Sequence, residues 1–200
     1  MKNRKRRLLC GVLCAVMLFA STGSVLAVSC TNYSDWFRPS YNEMNELNLI
    51  PSEFAGYDLK KNITRGEMSV LAVHAYGLIT KNAIELERTD YFSDTTDKTI
   101  LEAYELGIVS GYPDGTFRPD ATITRAEMMT LVNRALERVP SDEDHLLSKR
   151  VMLTFPDCKS GDWFYDAVAY VYDKGMMEGT TDTTFAPTMN LTRSMIAQVL

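Results

Sequence analysis

Histidine and cysteine are scarce in this chain: two histidines and four cysteines in 200 residues. No G-x-S-x-G, H-E-x-x-H or Cys–His arrangement occurs, so the common hydrolytic nucleophiles and zinc sites lack their residues. His74 has no Cys, His or paired carboxylate at ligand spacing and reads as a helix residue. His145 lies in a polar linker. Carboxylates such as Asp94 and Asp97 show no partner geometry for glycoside hydrolysis. A calcium loop with Gly115 at its sixth position would put Ser110 and Tyr112 where acidic ligands belong and Ala121 where glutamate is needed. The expectation is a non-enzyme with no catalytic residue, no metal and no cofactor.

Long apolar runs are missing too. The apolar run at the front, Leu8 to Ala20, has 13 residues, too few to span a bilayer. Lys2, Arg4, Lys5, Arg6 and Arg7 precede it, and the small-residue site Val25-Leu26-Ala27 follows. That order reads as a secretory signal over residues 1–27. The signal holds five of the 21 basic residues and no acidic one, so the remainder carries 16 basic against 26 acidic residues, a net charge of −10. Nucleic acid needs a basic face and is excluded as a partner. An anionic polymer must be held by local basic sites, because the overall field repels it.

Cys10 and Cys14 leave with the signal, and Cys30 and Cys158 alone make no disulfide framework. A bridge between them stays open. Leu26-Ala27-Val28-Ser29-Cys30 loosely resembles a lipobox, and a membrane is a partner only if Cys30 is lipidated.

What the chain does have is repetition. Ile100–Arg125 lies over Val168–Arg193 at an offset of 68 without a gap, with nine identities in 26 positions. They include Gly107 with Gly175, Gly111 with Gly179, Phe117 with Phe185 and Arg125 with Arg193. Phe92-Ser93-Asp94 matches Phe155-Pro156-Asp157 upstream. A distant third copy starts with Tyr33-Ser34-Asp35 and returns at Thr64-Arg65-Gly66-Glu67, while Leu49 to Phe54 replaces the glycine-rich turn. The units are 33–80, 92–138 and 155–200. Linkers Thr80–Tyr91 and Val139–Thr154 join them.

Each unit reads as helix, loop, helix. Ile100, Ala103 and Tyr104 recur at helical spacing. Gly107 is read as allowing close packing and Gly111 as the positive-φ helix stop. Pro113-Asp114-Gly115 is a turn and Phe117 an apolar plug. Thr124 is an N-cap with Glu127 as capping-box partner, repeated by Thr64 and Glu67. Thr192-Arg193-Ser194-Met195 lacks the glutamate. One unit buries too little to fold alone, so three are expected to share a core.

These residues resemble the S-layer homology family. The carriers are Phe92-Ser93-Asp94, the run from Gly107 through Pro119, and Thr124 to Glu127, with weaker copies around them. The resemblance covers about 33–200. It implies a mostly α fold, three helix–loop–helix repeats in a pseudo-threefold assembly sharing a central helical core. It also implies a non-catalytic role: binding secondary cell-wall polysaccharide on peptidoglycan, often pyruvylated, and holding an exported protein on a Gram-positive-type surface.

Within that resemblance, Arg65, Arg125 and Arg193 stand just after each N-cap, where helix N-termini offer free N–H groups to a ketal carboxylate. Trp163 and Trp36 are placed to stack on sugar. Asp94 and Asp157 are read as hydroxyl acceptors or as caps of each first helix, and Gly111 and Tyr112 as the groove border. Arg193–Leu200 leaves a short final helix, so the chain is expected to be a fragment of a longer parent. The alternatives are a protein-interaction or S-layer self-assembly module, or the anchor of a larger secreted enzyme.

Overall fold

Three short stretches, Asn62-Ile63-Thr64, Thr122-Ile123-Thr124 and Asn190-Leu191-Thr192, each carry one large apolar residue between polar neighbours. In the computed structural model, which describes residues 27–139 and 151–196, these stretches meet at one point. The Ile63 amide donates to the Leu191 carbonyl at 2.9 Å, the Leu191 amide to Ile123 at 3.3 Å, and the Ile123 amide to Ile63 at 3.3 Å. The cycle is closed. All three side chains are fully buried at it. The bridges formed there are isolated, and no β-strand occurs among the described residues.

Helices radiate from this ring. Chain order is α1 (Arg38–Glu46), α2 (Arg65–Thr80), α3 (Lys98–Glu105), α4 (Arg125–Arg138), α5 (Tyr165–Asp173) and α6 (Arg193–Ile196), with 3-10 turns at Asp35–Phe37 and Ser52–Phe54. The fold is mostly α, and α2, α4 and α6 each begin one residue past a ring threonine. Thr64 and Thr124 cap α2 and α4 with full capping boxes, since Glu67 and Glu127 reach back to the cap amides. In the third unit Met195 stands in the glutamate's place, and Thr192 is left with the Ser194 hydroxyl at 3.1 Å.

The first helix of each unit stops in one way. Asn48, Gly107 and Gly175 have φ of 56°, 68° and 69°. Each donates its amide three residues back, and the next residue donates five back, to Met44, Ala103 and Val171. These are three Schellman motifs, which satisfy carbonyls that the helix end leaves open. The expected glycine roles are therefore exchanged. Gly107 is the left-handed stop, and Gly111 is the close approach, where a Cβ would lie 2.5 Å from Phe92.

Asp94 and Asp157 do not cap the helices that follow them; Asp97 caps α3. Asp94 accepts the amides of Phe117 at 2.8 Å and Arg118 at 2.7 Å, and Asp157 those of Phe185 at 3.1 Å and Ala186 at 2.8 Å. Arg118 and Ala186 have φ of 59° and 60°, a conformation that a side chain resists. The carboxylate clamp holds each loop in it. Phe117 and Phe185 are thereby seated as fully buried plugs, as expected.

Unit 1 departs from the expected register. Asp35 clamps nothing: its side chain is almost fully exposed and pairs only with Arg38 at 3.4 Å. Thr31 holds that loop instead, accepting from Leu59 and donating to Tyr57. The segment that repeats is Asp35-Trp36-Phe37, which matches Asp162-Trp163-Phe164; Phe37 and Phe164 are the N-cap residues of α1 and α5.

One apolar cluster runs through all three units. Cys30 and Cys158 are both buried in it and both unpaired, so no bridge joins them. The Cys30 thiol donates to the Phe54 carbonyl at 3.3 Å, and a lipidated Cys30 would have to leave this seat. Among the described residues no helix is long and apolar enough to cross a membrane. The signal over residues 1–27 falls, Ala27 apart, outside the described residues, as do His145 and residues 197–200.

Ile123→Ala should cost about 2–5 kcal/mol in urea unfolding. Trp36→Phe and Trp163→Phe chains, each reporting on one remaining tryptophan, should give coincident transitions because the core is shared; separate midpoints would contradict this. The Phe117 amide, then the Arg118 amide, holds the Asp94 carboxyl below its ordinary range. A depressed carboxyl contributes stability above its unfolded value of about 3.9, and the contribution is lost as pH falls through the folded value. Asp94→Asn should therefore lower stability at neutral pH and flatten the acid limb of stability against pH.

Candidate functional site at the seams between repeats

Each ring threonine is followed by an arginine whose amide is already engaged. Arg65 and Gly66 donate to Ala121 and Pro119, both at 2.9 Å. Arg125 and Ala126 donate to Met189 and Pro187, and Arg193 and Ser194 to Lys61 and Leu59. Every repeat thus docks the start of its second helix on the next repeat's loop, and the third docks on the first. The free helix N–H groups expected from sequence are not free. Neighbouring carbonyls have taken them.

The arginine side chains extend the same seams. Arg65 donates to the carbonyls of Phe117 and Ser110, both at 3.1 Å. Arg125 donates to Phe185 at 2.9 Å and Glu178 at 2.8 Å. Arg193 donates to Asp58 at 2.9 Å. Each guanidinium also lies over an aromatic ring: Phe117 at 4.9 Å, Phe185 at 4.6 Å and Tyr57 at 4.5 Å. The three arginines are equivalent and hold the repeats together whatever else they do. Burial pushes the Arg125 guanidinium below its ordinary value, while the hydrogen bond to Glu67 holds Arg193 above it.

One seam opens into a groove of about 240 Å³. Its walls include Arg65 from unit 1, Gly111, Tyr112, Glu127 and Arg134 from unit 2, and Trp163 from unit 3. Four residues expected from sequence are brought together here. Trp163 is 68% exposed, with its ring perpendicular to that of Phe164 at 5.4 Å. Tyr112 sits under two guanidinium groups, Arg118 at 4.0 Å and Arg65 at 4.9 Å. Two cations and one carboxylate line this groove, which suits a sugar bearing a negative group.

The other expected residues lie elsewhere. Trp36 is half-exposed beside Phe37, at the position equivalent to Trp163 but outside this groove. Arg125 and Arg193 belong to the other two seams, and Asp94 and Asp157 turn their oxygens onto the loop backbone. Sequence reading missed Arg134, which reaches the Ser110 hydroxyl at 3.4 Å. It lies two turns past Glu127 on one face of α4, the spacing that would have found it. Among the described residues no group of three His, Cys, Asp or Glu side chains is placed to hold a metal ion.

A family model described as the S-layer homology domain matches residues 91–129 and 154–194. The chain is 33% identical over 119 residues to the surface-layer 125 kDa protein of Lysinibacillus sphaericus, covering 60% of this chain and 9% of the relative. It is 32% identical over 173 residues to an endoglucanase of Bacillus sp. strain KSM-635, covering 84% and 17%. It is 33% identical over 182 residues to the cellulosome-anchoring protein of Acetivibrio thermocellus, covering 84% and 38%. The chain therefore spans between about a tenth and two fifths of the length of these relatives. The two matched segments are the second and third units of the ring, and the chain belongs to the S-layer homology family of cell-surface proteins.

Proposed function

We propose that this chain is a non-catalytic anchoring module that holds an exported protein on the cell wall by binding secondary cell-wall polysaccharide. The observation that carries this reading is the groove in which Trp163 from one repeat faces Arg65 and Tyr112 from the other two. An indole face stacks on the apolar side of a sugar ring, while guanidinium groups grip a carboxylate with charge-assisted hydrogen bonds. A pyruvate ketal supplies that carboxylate on a rigid ring, so a pyruvylated polymer fits best. On a chain of net charge −10 after its leader, such local cations are what an anionic polymer needs.

The surface-layer and anchoring relatives support the role, and the endoglucanase shows the same module within an enzyme. A surface-layer protein and an anchoring protein share this region with the endoglucanase, so the region is not tied to hydrolysis.

The test is sedimentation of the exported chain with purified walls, before and after the secondary polysaccharide is stripped. The chain should pellet with intact walls and stay in solution with stripped ones. Equal pelleting would point to peptidoglycan or a protein as the partner. Trp163→Ala should weaken pelleting by about tenfold, the equivalent of about 1.4 kcal/mol, with no change in melting temperature because the indole is mostly exposed.

A further inference from the structure

Unit 1 lacks the aspartate clamp of the other two units, yet its loop is held. The residues that hold it are the first ones after the leader read from sequence. Ser29, Cys30 and Thr31 run parallel to the loop at 56–59. The Gly56 amide donates to the Ser29 carbonyl at 2.6 Å, the Thr31 amide to Tyr57 at 2.8 Å, and the Leu59 amide to Thr31 at 3.0 Å. Leu59 passes this support on. Its carbonyl accepts the Ser194 amide at 3.0 Å, where the third repeat docks on the first. The segment at 29–31 therefore braces the seam that closes the ring.

The same segment is pinned by α1. Tyr41 and Asn45 lie one turn apart on that helix. Tyr41 is buried and stacked on Tyr33, with ring centres 4.9 Å apart. Its hydroxyl donates to the Val28 carbonyl and accepts the Cys30 amide at 2.9 Å. Asn45 accepts the Val28 amide at 2.9 Å through Oδ1 and donates Nδ2 to the Val28 carbonyl at 3.3 Å. Both backbone polar groups of Val28 are thus engaged. Val28 is half-buried, whereas Ala27 before it is exposed. Among the described residues the ties begin at the residue that cleavage after Ala27 makes the first.

The alternative processing route destroys this arrangement. A lipobox cut before Cys30 removes Val28 and Ser29 together with their hydrogen bonds. It also needs a lipid on a thiol that is 8% exposed and donates to the Phe54 carbonyl.

We propose that Tyr41 and Asn45 form a docking site for the chain's own processed terminus: a leader peptidase cuts between Ala27 and Val28, Cys30 stays a free thiol, and the new terminus becomes the brace of the first repeat. Water adds across the peptide bond, its hydroxyl going to the Ala27 carbonyl carbon and its proton to the Val28 nitrogen. A free α-amine titrates at about 7.7–8.0, so at neutral pH it is mostly ammonium and still presents an N–H to Asn45. The proposal depends on residues 1–27 being a leader, and not on what the groove binds.

The first arm of the test is the mass and amino-terminal sequence of the chain secreted by a Gram-positive host. It should begin at Val28 with no added mass on Cys30. A chain that keeps residues 1–27, or one that begins at a lipidated Cys30, would overturn the proposal. The second arm compares native-state hydrogen exchange in chains released from a fusion to begin at Val28 or at Cys30. Loss of Val28 and Ser29 should speed exchange at the Leu59 and Ser194 amides by about tenfold. The Phe117 amide, which Asp94 holds in unit 2, should exchange as before. Asn45→Ala and Tyr41→Phe leave the 29–31 backbone in place and should move the same two amides in the same direction. Unchanged exchange at Leu59 and Ser194 in the shortened chain, or in the point variants should that chain not fold, would overturn the proposal. Equal acceleration at Phe117 would overturn it too, because the terminus would then be no local brace.

Discussion

Ile63 gives its amide to Leu191, Leu191 to Ile123 and Ile123 to Ile63, so three stretches far apart in sequence close into one ring. Each of these amides is buried, and an unpaired buried amide costs about 1–3 kcal/mol. No repeat can withdraw without leaving two neighbours unsatisfied. The same closure aims α2, α4 and α6 outward from one point and sets each arginine against the next repeat's loop. Groove geometry is thus a consequence of the ring. The groove that holds Trp163, Tyr112 and Arg65 takes one wall from each repeat and does not exist in any single one.

Arginine suits these seams because it has donors enough for two tasks. Its rigid fork satisfies one or two loop carbonyls and lies over an aromatic ring, and donors remain for a carboxylate. In the Arg193 seam that remainder is spent inside the protein, on Glu67. Removing an arginine would therefore loosen the seam it holds.

Much of the fold was legible because its signals are local. Thr124 with Glu127 is a capping box within four residues, and it forms as read. The repeat offset paired Phe117 with Phe185, a five-residue insertion added Asp94 with Asp157, and each pair plays one part in the structure. What sequence left hidden depends on partners far along the chain. Asp94 acts on a loop 23 residues later, and Arg193 meets Glu67 across 126 residues. The helix amides taken for free donors are filled by carbonyls that no local pattern announces. The first repeat's register was recoverable, since Asp35-Trp36-Phe37 recurs as Asp162-Trp163-Phe164, but the tyrosine and aspartate of Tyr33-Ser34-Asp35 made a competing match.

The closed ring is the claim on which the groove stands. Native-state hydrogen exchange at the amides of Ile63, Ile123 and Leu191 tests it most directly. The account predicts one opening free energy for all three, equal to that of global unfolding. Exchange at Leu191 through a cheaper opening, with Ile63 and Ile123 still protected, would show the third repeat leaving on its own and would contradict it.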